Sequence, residues 1–154
     1  MRLLPVLVVL LGLAWGQRGV PLSEVTEALQ SATNVVWVGS YLRSRPLAEA
    51  LRQARVAGTP VILVTSGYTY LDGSSYFISL YLARCSLFLG VPDEYILDTG
   101  NRLFYGPGLG RGGEIYEAVG EEGTRKRTHL LELLRGAQIM PYTPERILRY
   151  WLAR

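Results

Sequence analysis

The first half of the chain carries two kinds of hydrophobic pattern, one with helical spacing and one made of continuous apolar runs. Residues 22–32 carry apolar side chains three or four positions apart, which is the spacing of one helix face. Residues 34–41 form a β-branched and aromatic run that predicts a buried strand. Pro46 opens a second helical pattern that stops before Gly58, and residues 60–65 form a second buried strand. The predicted order is therefore helix, strand, helix, strand.

The second half of the chain carries shorter patterns that are separated by turn residues. They predict a helix at 76–84, strands at 86–89, 94–97 and 102–105, a turn at 98–101, a glycine loop at 106–113, and helices at 128–135 and 145–153. Strands that alternate with helices and then form a hairpin indicate an α/β fold. We expect one layered domain with a mixed, mostly parallel sheet flanked by helices.

The first sixteen residues have the organisation of a secretory signal peptide. Arg2 precedes an apolar run, and Ala14-Trp15-Gly16 is a small-x-small cleavage signal. The uncharged stretch has about 14 residues, whereas a membrane-spanning helix needs about 20. We therefore predict a signal peptide at 1–16 and a domain at 17–154. The domain is expected to be exported to the periplasm or beyond, without a transmembrane anchor after cleavage.

Composition narrows the class of protein. The chain has 154 residues, of which 49% are apolar and 19% charged, and these values exclude a disordered chain. Cys85 is the single cysteine, so an intramolecular disulfide is excluded and the core must hold the fold alone. The net charge of +3 is too small to require a polyanionic partner.

A familiar pattern emerges in the first two strands and the helix between them. Val35-Val36-Trp37-Val38-Gly39-Ser40-Tyr41, followed by Leu47-Ala48-Glu49-Ala50-Leu51 and by Gly58-Thr59-Pro60-Val61, resembles the phospholipase D-like superfamily. In that family a strand ends in a Ser-Tyr pair, a short helix follows, and a Gly-x-x-Val turn starts the next strand. The resemblance covers roughly residues 22–110. It implies a phospholipase D-like fold similar to that of small exported endonucleases.

The family's chemistry lies in a His-x-Lys-x4-Asp motif, in which His is the nucleophile and Lys binds phosphate oxygens. If Asp98 takes the Asp place, the His place falls on Val91 and the Lys place on Asp93. Val91 has no lone pair to attack phosphorus, and Asp93 repels the phosphate that a lysine attracts. The resemblance therefore implies the fold without the motif, and we expect no phosphodiesterase activity.

Other residues offer replacement chemistry. His129 is the single histidine and a candidate nucleophile, although a surface imidazole is the ordinary interpretation. Asp93, Glu94 and Asp98 are able to act as an acid and base pair or to hold a cation, whereas Asp98 also fits ordinary turn chemistry. With one His and one Cys we expect no structural metal, and no cofactor is predicted.

Arginines and tyrosines suggest a binding surface instead. In the fold that the resemblance implies, Arg43 and Arg45 lie near the glycine loop with Arg102 and Arg111, where they would cradle phosphates. The predicted ligand-binding residues are Ser40, Tyr41, Arg43, Arg45, Gly106 and Arg111. The predicted ligand is a nucleic acid or a phospholipid headgroup.

Three function classes remain open from the sequence. The first is an inactive binding module that uses the former phosphodiester groove. The second is a diverged phosphodiesterase or nuclease built on Asp98 with His129 or Asp93. The third is a structural partner of an envelope protein, and members of the resembled family also pair their domains face to face, which a single-copy chain would do as a homodimer.

Overall fold

The computed structural model describes residues 17–67, 69–140, 145, 149, 152 and 153. The predicted signal peptide at residues 1–16 lies outside these described residues, and so does most of the predicted helix at 145–153. In the part that is described, no helix combines the length and the apolar character that crossing a membrane requires. The division of the chain at residue 17 stays a prediction.

The described residues form one sheet with helices on both of its faces. The strands are β1 (Gln17–Gly19), β2 (Val35–Val38), β3 (Val61–Ser66), β4 (Ser86–Gly90), β5 (Ile96–Asp98), β6 (Leu103–Tyr105), β7 (Tyr116–Ala118) and β8 (Gln138–Ile139). The helices are α1 (Leu22–Gln30), α2 (Arg45–Val56), α3 (Phe77–Leu82) and α4 (Gly120–Arg135). The strand order is β1-β7-β6-β5-β2-β3-β4-β8. The predicted layered α/β fold is confirmed.

The balance of the sheet differs from the prediction of a mostly parallel arrangement. Strand β3 runs parallel to β2 and to β4, while every other pairing among the described strands is antiparallel. The two strand–helix–strand crossovers were visible in the sequence and suggested parallel pairing. The short strands β1, β7 and β8 were not predicted, because each has only two or three residues, and each of them pairs antiparallel.

Strand β2 is apolar along its whole length because both of its faces are buried. Val35 and Trp37 belong to the cluster that packs under α1, α2 and α3. Val36 and Val38 belong to the cluster on the opposite face, together with Leu130 of α4. The alternation of side chains along a strand sends neighbouring residues to opposite faces. The central position of β2 therefore explains why the sequence has no polar residue between positions 35 and 38.

Two helix boundaries illustrate where sequence signals worked and where they did not. Helix α2 begins as predicted: Ser44 Oγ accepts a hydrogen bond from Leu47 N at 3.3 Å, and Pro46 lies in the first turn. Helix α4 begins at Gly120, well before the predicted start at residue 128. Its first turns are rich in charged residues, which have good helix propensity but give no apolar periodicity.

Candidate functional site

A cleft of about 360 Å³ opens at one end of the sheet. Strand β5 runs antiparallel to β2 and to β6, so the residues after β2, before β5 and after β6 meet at the same edge. The cleft is lined by Ser40, Tyr41, Pro92, Asp93, Glu94, Tyr95, Tyr105, Gly106, Pro107, Arg111 and Lys126. The sheet topology thus gathers residues that are far apart in the sequence.

The buried ring of Tyr95 supports the cleft. Its hydroxyl oxygen accepts a hydrogen bond from Tyr41 N at 3.2 Å, and burial raises the pKa of its phenol. A Cβ on Gly39 would lie 2.3 Å from Tyr95 Cδ1. A Cβ on Gly110 would lie 2.2 Å from Tyr95 Cε1 and 2.1 Å from the carbonyl oxygen of Tyr41. The ring occupies the space that these two glycines leave.

Two cations line the cleft, and they differ in their surroundings. Lys126 Nζ donates to Glu94 Oε1 at 2.7 Å and lies 4.3 Å from the ring centroid of Tyr105. Arg111 is exposed, and its guanidinium carbon lies 5.9 Å from the ring centroid of Tyr95. Among the described residues, no carboxylate forms an ion pair with Arg111. Its hydrogen-bond donors therefore remain available to an anion in the cleft.

The structure separates the predicted ligand-binding residues. Ser40, Tyr41, Gly106 and Arg111 line the cleft together. The guanidinium of Arg43 lies 4.1 Å from the ring centroid of Tyr41, but the side chain also contacts Ser74 and Asp72, and it lines a second groove of about 780 Å³. Arg111 lines both cavities, and Arg43 N donates to Gly110 O at 2.7 Å, so the predicted proximity of Arg43 and the glycine loop is confirmed.

Arg45 lies apart from this arrangement. It is exposed in the first turn of α2 and belongs to the lining of neither cavity. Val91, on which the family's nucleophilic His falls if Asp98 takes the Asp place, is 88% exposed and does not line the cleft either. Neither position contributes a group to the cleft.

Asp93 and Glu94 form an acidic wall of the cleft beside Lys126. Asp93 Oδ1 lies 2.7 Å from His129 Nε2, and Glu94 Oε2 lies 4.0 Å from the same nitrogen. The hydrogen bond between Asp93 and His129 lowers the pKa of the Asp93 carboxyl and raises the pKa of the His129 imidazole from their ordinary values. The sequence suggested Asp98, and not Asp93, as the partner of His129, because nothing in the linear pattern shows that α4 packs across the start of β5.

Asp98 has a different environment at the other end of β5. Its Oδ1 accepts a hydrogen bond from Gly100 N at 2.8 Å, which is the turn geometry considered in the sequence. Its Oδ2 accepts one from Arg127 Nε at 3.1 Å. Of the acidic candidates, Asp93 and Glu94 therefore adjoin His129, whereas Asp98 joins the hairpin turn to α4.

Arg102, expected to contact a bound phosphate, belongs to an inner charge network made of Arg18, Glu24, Arg102 and Glu117. Its Nε donates to Glu117 Oε2 at 2.7 Å, and its Nη2 donates to Glu24 at 2.7 Å. Arg18 Nη2 donates to both carboxylates at 2.6 Å. Glu117 is buried because β7 places it among these arginines. Arg102 is therefore engaged within the fold.

Comparison with known proteins supports a fold assignment. No protein-family model and no curated protein matches the sequence. Among solved structures, the chain is similar to Nuc of Salmonella typhimurium, a phospholipase D family member, with 11% identity, a TM-score of 0.59, and coverage of 82% of this chain and 96% of that one. It is also similar to NucT of Helicobacter pylori, with 12% identity, a TM-score of 0.61, and coverage of 80% and 97%.

A third similar structure is TrmBL2, which is described as an archaeal chromatin protein with a novel mode of DNA binding. The identity is 11% and the TM-score 0.59, and the similarity covers 80% of this chain and 53% of that one. At such identities the similarity concerns the fold. The described chain has a phospholipase D-like fold, as its resemblance to that superfamily implied.

Proposed function

We propose that this chain is an exported phosphodiester-binding domain that holds its ligand in the cleft without hydrolysing it. One observation carries the proposal: Ser40, Tyr41, Gly106 and Arg111 meet in the cleft, and if Asp98 takes the place of the family's Asp, the places of its His and Lys hold Val91 and Asp93. On that alignment the cleft keeps groups that bind a phosphate and lacks the family's nucleophilic His and phosphate-binding Lys.

Two candidate nucleophile positions lie outside the cleft lining, which supports the proposed lack of turnover. Val91 has no lone pair and lies outside the cleft lining. His129 does not line the cleft either, and its Nε2 is engaged with Asp93. Metal-independent attack on phosphorus needs a nucleophile within reach of the bound ester, and these two positions do not supply one.

The chemistry of the lining favours a single-stranded nucleic acid. Arg111 offers several N–H donors to phosphate oxygens, and Tyr41 and Tyr105 are partly exposed aromatic rings beside it. Lys126 and His129 offset the charge of the acidic wall. TrmBL2 is described as binding DNA, which agrees with a nucleic-acid ligand. A phospholipid headgroup presents the same phosphodiester and is the alternative source.

Binding is tested with the full chain and a fluorescein-labelled single-stranded oligonucleotide of about 12 nucleotides, within the site sizes of single-strand-binding domains. Fluorescence anisotropy is recorded with EDTA. We expect Arg111→Ala to weaken binding about tenfold, the effect of losing about 1.4 kcal/mol. Arg52→Ala, at an exposed position outside both cavities, should leave affinity unchanged. Equal losses from both substitutions would contradict the cleft as the binding site.

A second arm distinguishes the ligand source. Sedimentation with anionic phospholipid vesicles replaces the oligonucleotide, with the same two variants. Binding of vesicles but not of the oligonucleotide, with loss on Arg111→Ala, would identify a lipid headgroup as the ligand. Fractionation of cells that express the chain with and without residues 1–16 tests export, and retention of both forms in the cytoplasm would contradict it.

The alternative is a diverged phosphodiesterase, and the contact between His129 and Asp93 is the observation that favours it. Hydrolysis of bis(p-nitrophenyl) phosphate by the full chain, with EDTA or with divalent cations, tests this alternative. We expect no turnover. Turnover that His129→Ala abolishes would replace the binding proposal with a hydrolase. Asp98→Asn is the comparison variant, because Asp98 is a candidate catalytic carboxylate that does not contact His129.

A further inference from the structure

Asp93 and Glu94, the acidic wall of the cleft, lie close to His129. The ligand atoms of Asp93, Glu94 and His129 all lie within 4.8 Å of one another. We infer that these three side chains form a binding site for a divalent transition cation at the edge of the cleft. The inference concerns a different set of residues from the phosphate-binding groups and stands independently of the proposed function.

The separations suit a shared ion after small side-chain movements. Oxygen and nitrogen ligands at about 2.1 Å from a tetrahedral ion lie about 3.4 Å from each other. The observed distances from His129 Nε2 are 2.7 Å to Asp93 Oδ1 and 4.0 Å to Glu94 Oε2, on either side of that value. An ion would also replace the direct contact between His129 and Asp93 with two bonds to metal.

The far side of the imidazole supports the same conclusion. His129 Nδ1 lies 3.7 Å from Glu132 Oε2, one helical turn away on α4. A histidine that ligates a metal through one nitrogen typically donates the other N–H to a carboxylate, which fixes the ring orientation and the tautomer. At 3.7 Å the two atoms do not form a hydrogen bond, and a small side-chain movement would bring Glu132 within reach of that proton while Nε2 faces the two acidic ligands.

Lys126 occupies a different oxygen from the one that the ion would use. Its Nζ contacts Glu94 Oε1, whereas Oε2 is the oxygen near His129. One carboxylate is therefore able to hold the lysine and the ion together. Asp93 and Glu94 both line the cleft, whereas His129 does not, so the site lies at the edge of the cleft. Three protein ligands leave a fourth tetrahedral position of the ion for a water molecule.

The donor set selects the kind of ion. One imidazole nitrogen with two carboxylate oxygens suits Zn²⁺ or Mn²⁺, whereas Mg²⁺ prefers oxygen ligands throughout. The rest of the chain offers little competition, because His129 is the single histidine and Cys85 the single cysteine. Burial raises the pKa of the Cys85 thiol to about 11, so this side chain stays protonated at neutral pH.

Isothermal titration calorimetry of the full chain with Zn²⁺ tests the site without any nucleic acid. We expect one ion per chain and, on His129→Ala, a loss of affinity greater than about 100-fold. Glu132→Gln should weaken binding by about 10–100-fold, as is usual for a carboxylate behind a ligating histidine. Glu121→Gln, an exposed glutamate on the same helix, should have no effect.

Spectroscopy adds a readout that a folding defect does not imitate. Co²⁺ bound through His129 should give visible absorption bands that His129→Ala removes, while thermal unfolding in EDTA confirms that the variant is folded. Absence of Zn²⁺ binding by the unaltered chain, or equal affinity in His129→Ala, would overturn the inference. Neither result bears on oligonucleotide binding measured in EDTA, so the two proposals fail separately.

Discussion

Two groups of paired charges in this molecule differ in the exposure of their carboxylates. In the inner charge network, Glu117 receives N–H donors from Arg18 and Arg102 on both oxygens, and its side chain is 10% exposed. In the acidic wall, Asp93 meets His129 at a similar distance, but its side chain is 63% exposed and borders the cleft. Contact distance alone therefore does not distinguish a structural charge from a functional one.

The two groups differ in whether their polar atoms are all used within the fold or still border a cavity. The inner charge network joins α1, β1, β7 and the residue before β6, and its donors and acceptors are used within the fold. The acidic wall and Arg111 still face a cavity that holds solvent or a ligand. Arg102 and Arg111 looked alike in the sequence, and only their surroundings show that the first is engaged within the fold and that the second remains available for the proposed binding.

The largest expected effect comes from breaking the inner charge network. Glu117→Ala leaves Arg18 and Arg102 with Glu24 as their remaining carboxylate in the network. We expect a loss of about 2–3 kcal/mol in the free energy of unfolding, below the usual range for a fully buried pair because both arginines are partly exposed. Urea unfolding measures it. A loss under about 0.5 kcal/mol would place Glu117 among ordinary surface charges.

The same glutamate gives the network a pH dependence. Hydrogen bonds from Arg102 and Arg18 hold the pKa of Glu117 below its ordinary 4.5. Its contribution to stability is therefore complete above pH 4.5 and is lost as the pH falls through the lowered value in the folded protein. The stability difference between the unaltered chain and Glu117→Gln should shrink in that acidic range. A difference that grows on acidification would contradict this sign.

The next effect concerns the cleft, where the ring of Tyr95 packs against Gly39 and Gly110 without any charged contact between them. An alanine at Gly110 meets the carbonyl oxygen of Tyr41 and the ring of Tyr95. Overpacking of this kind typically costs about 1–3 kcal/mol, and we expect oligonucleotide binding to weaken as well. Gly67→Ala is the matched control, because nothing lies within 4 Å of its added Cβ. Equal stability of the two variants would show that Tyr95 relaxes without cost.

The smallest effect belongs to the acidic wall. His129→Ala removes an exposed ion pair, and such pairs contribute about 0.2–1 kcal/mol. In EDTA we therefore expect a loss of about 0.5 kcal/mol by urea unfolding, well below that of Glu117→Ala. A loss of similar size in the two variants would remove the distinction between the two charge groups.

Much of the fold was predictable because its central elements carry strong local signals. Strands β2 and β3 are continuous apolar runs, and α2 has both a proline in its first turn and a glycine past its end. The short strands β1, β7 and β8 gave no such signal, since their pairing depends on partners distant in the sequence. The mostly parallel sheet was predicted wrongly for that reason.

The candidate site was predictable only in part. Ser40, Tyr41 and Gly106 were proposed from the resemblance and lie near strand ends that the topology gathers at one edge, and Arg111 lies in the glycine loop that follows. The contact between Asp93 and His129 spans 36 positions and depends on where α4 packs. No periodicity or spacing encodes that packing, so the sequence suggested Asp98 rather than Asp93 as the partner of His129.

Salt dependence of oligonucleotide binding tests the central claim most directly. Anisotropy titrations in EDTA at increasing salt give the slope of log K against log salt for the unaltered chain and for Arg111→Ala. If Arg111 contacts a phosphate in the cleft, the unaltered chain binds with a negative slope, and the substitution reduces its magnitude by about 0.7–1. Binding that does not depend on salt, or a slope unchanged by Arg111→Ala, would contradict phosphodiester binding in this cleft.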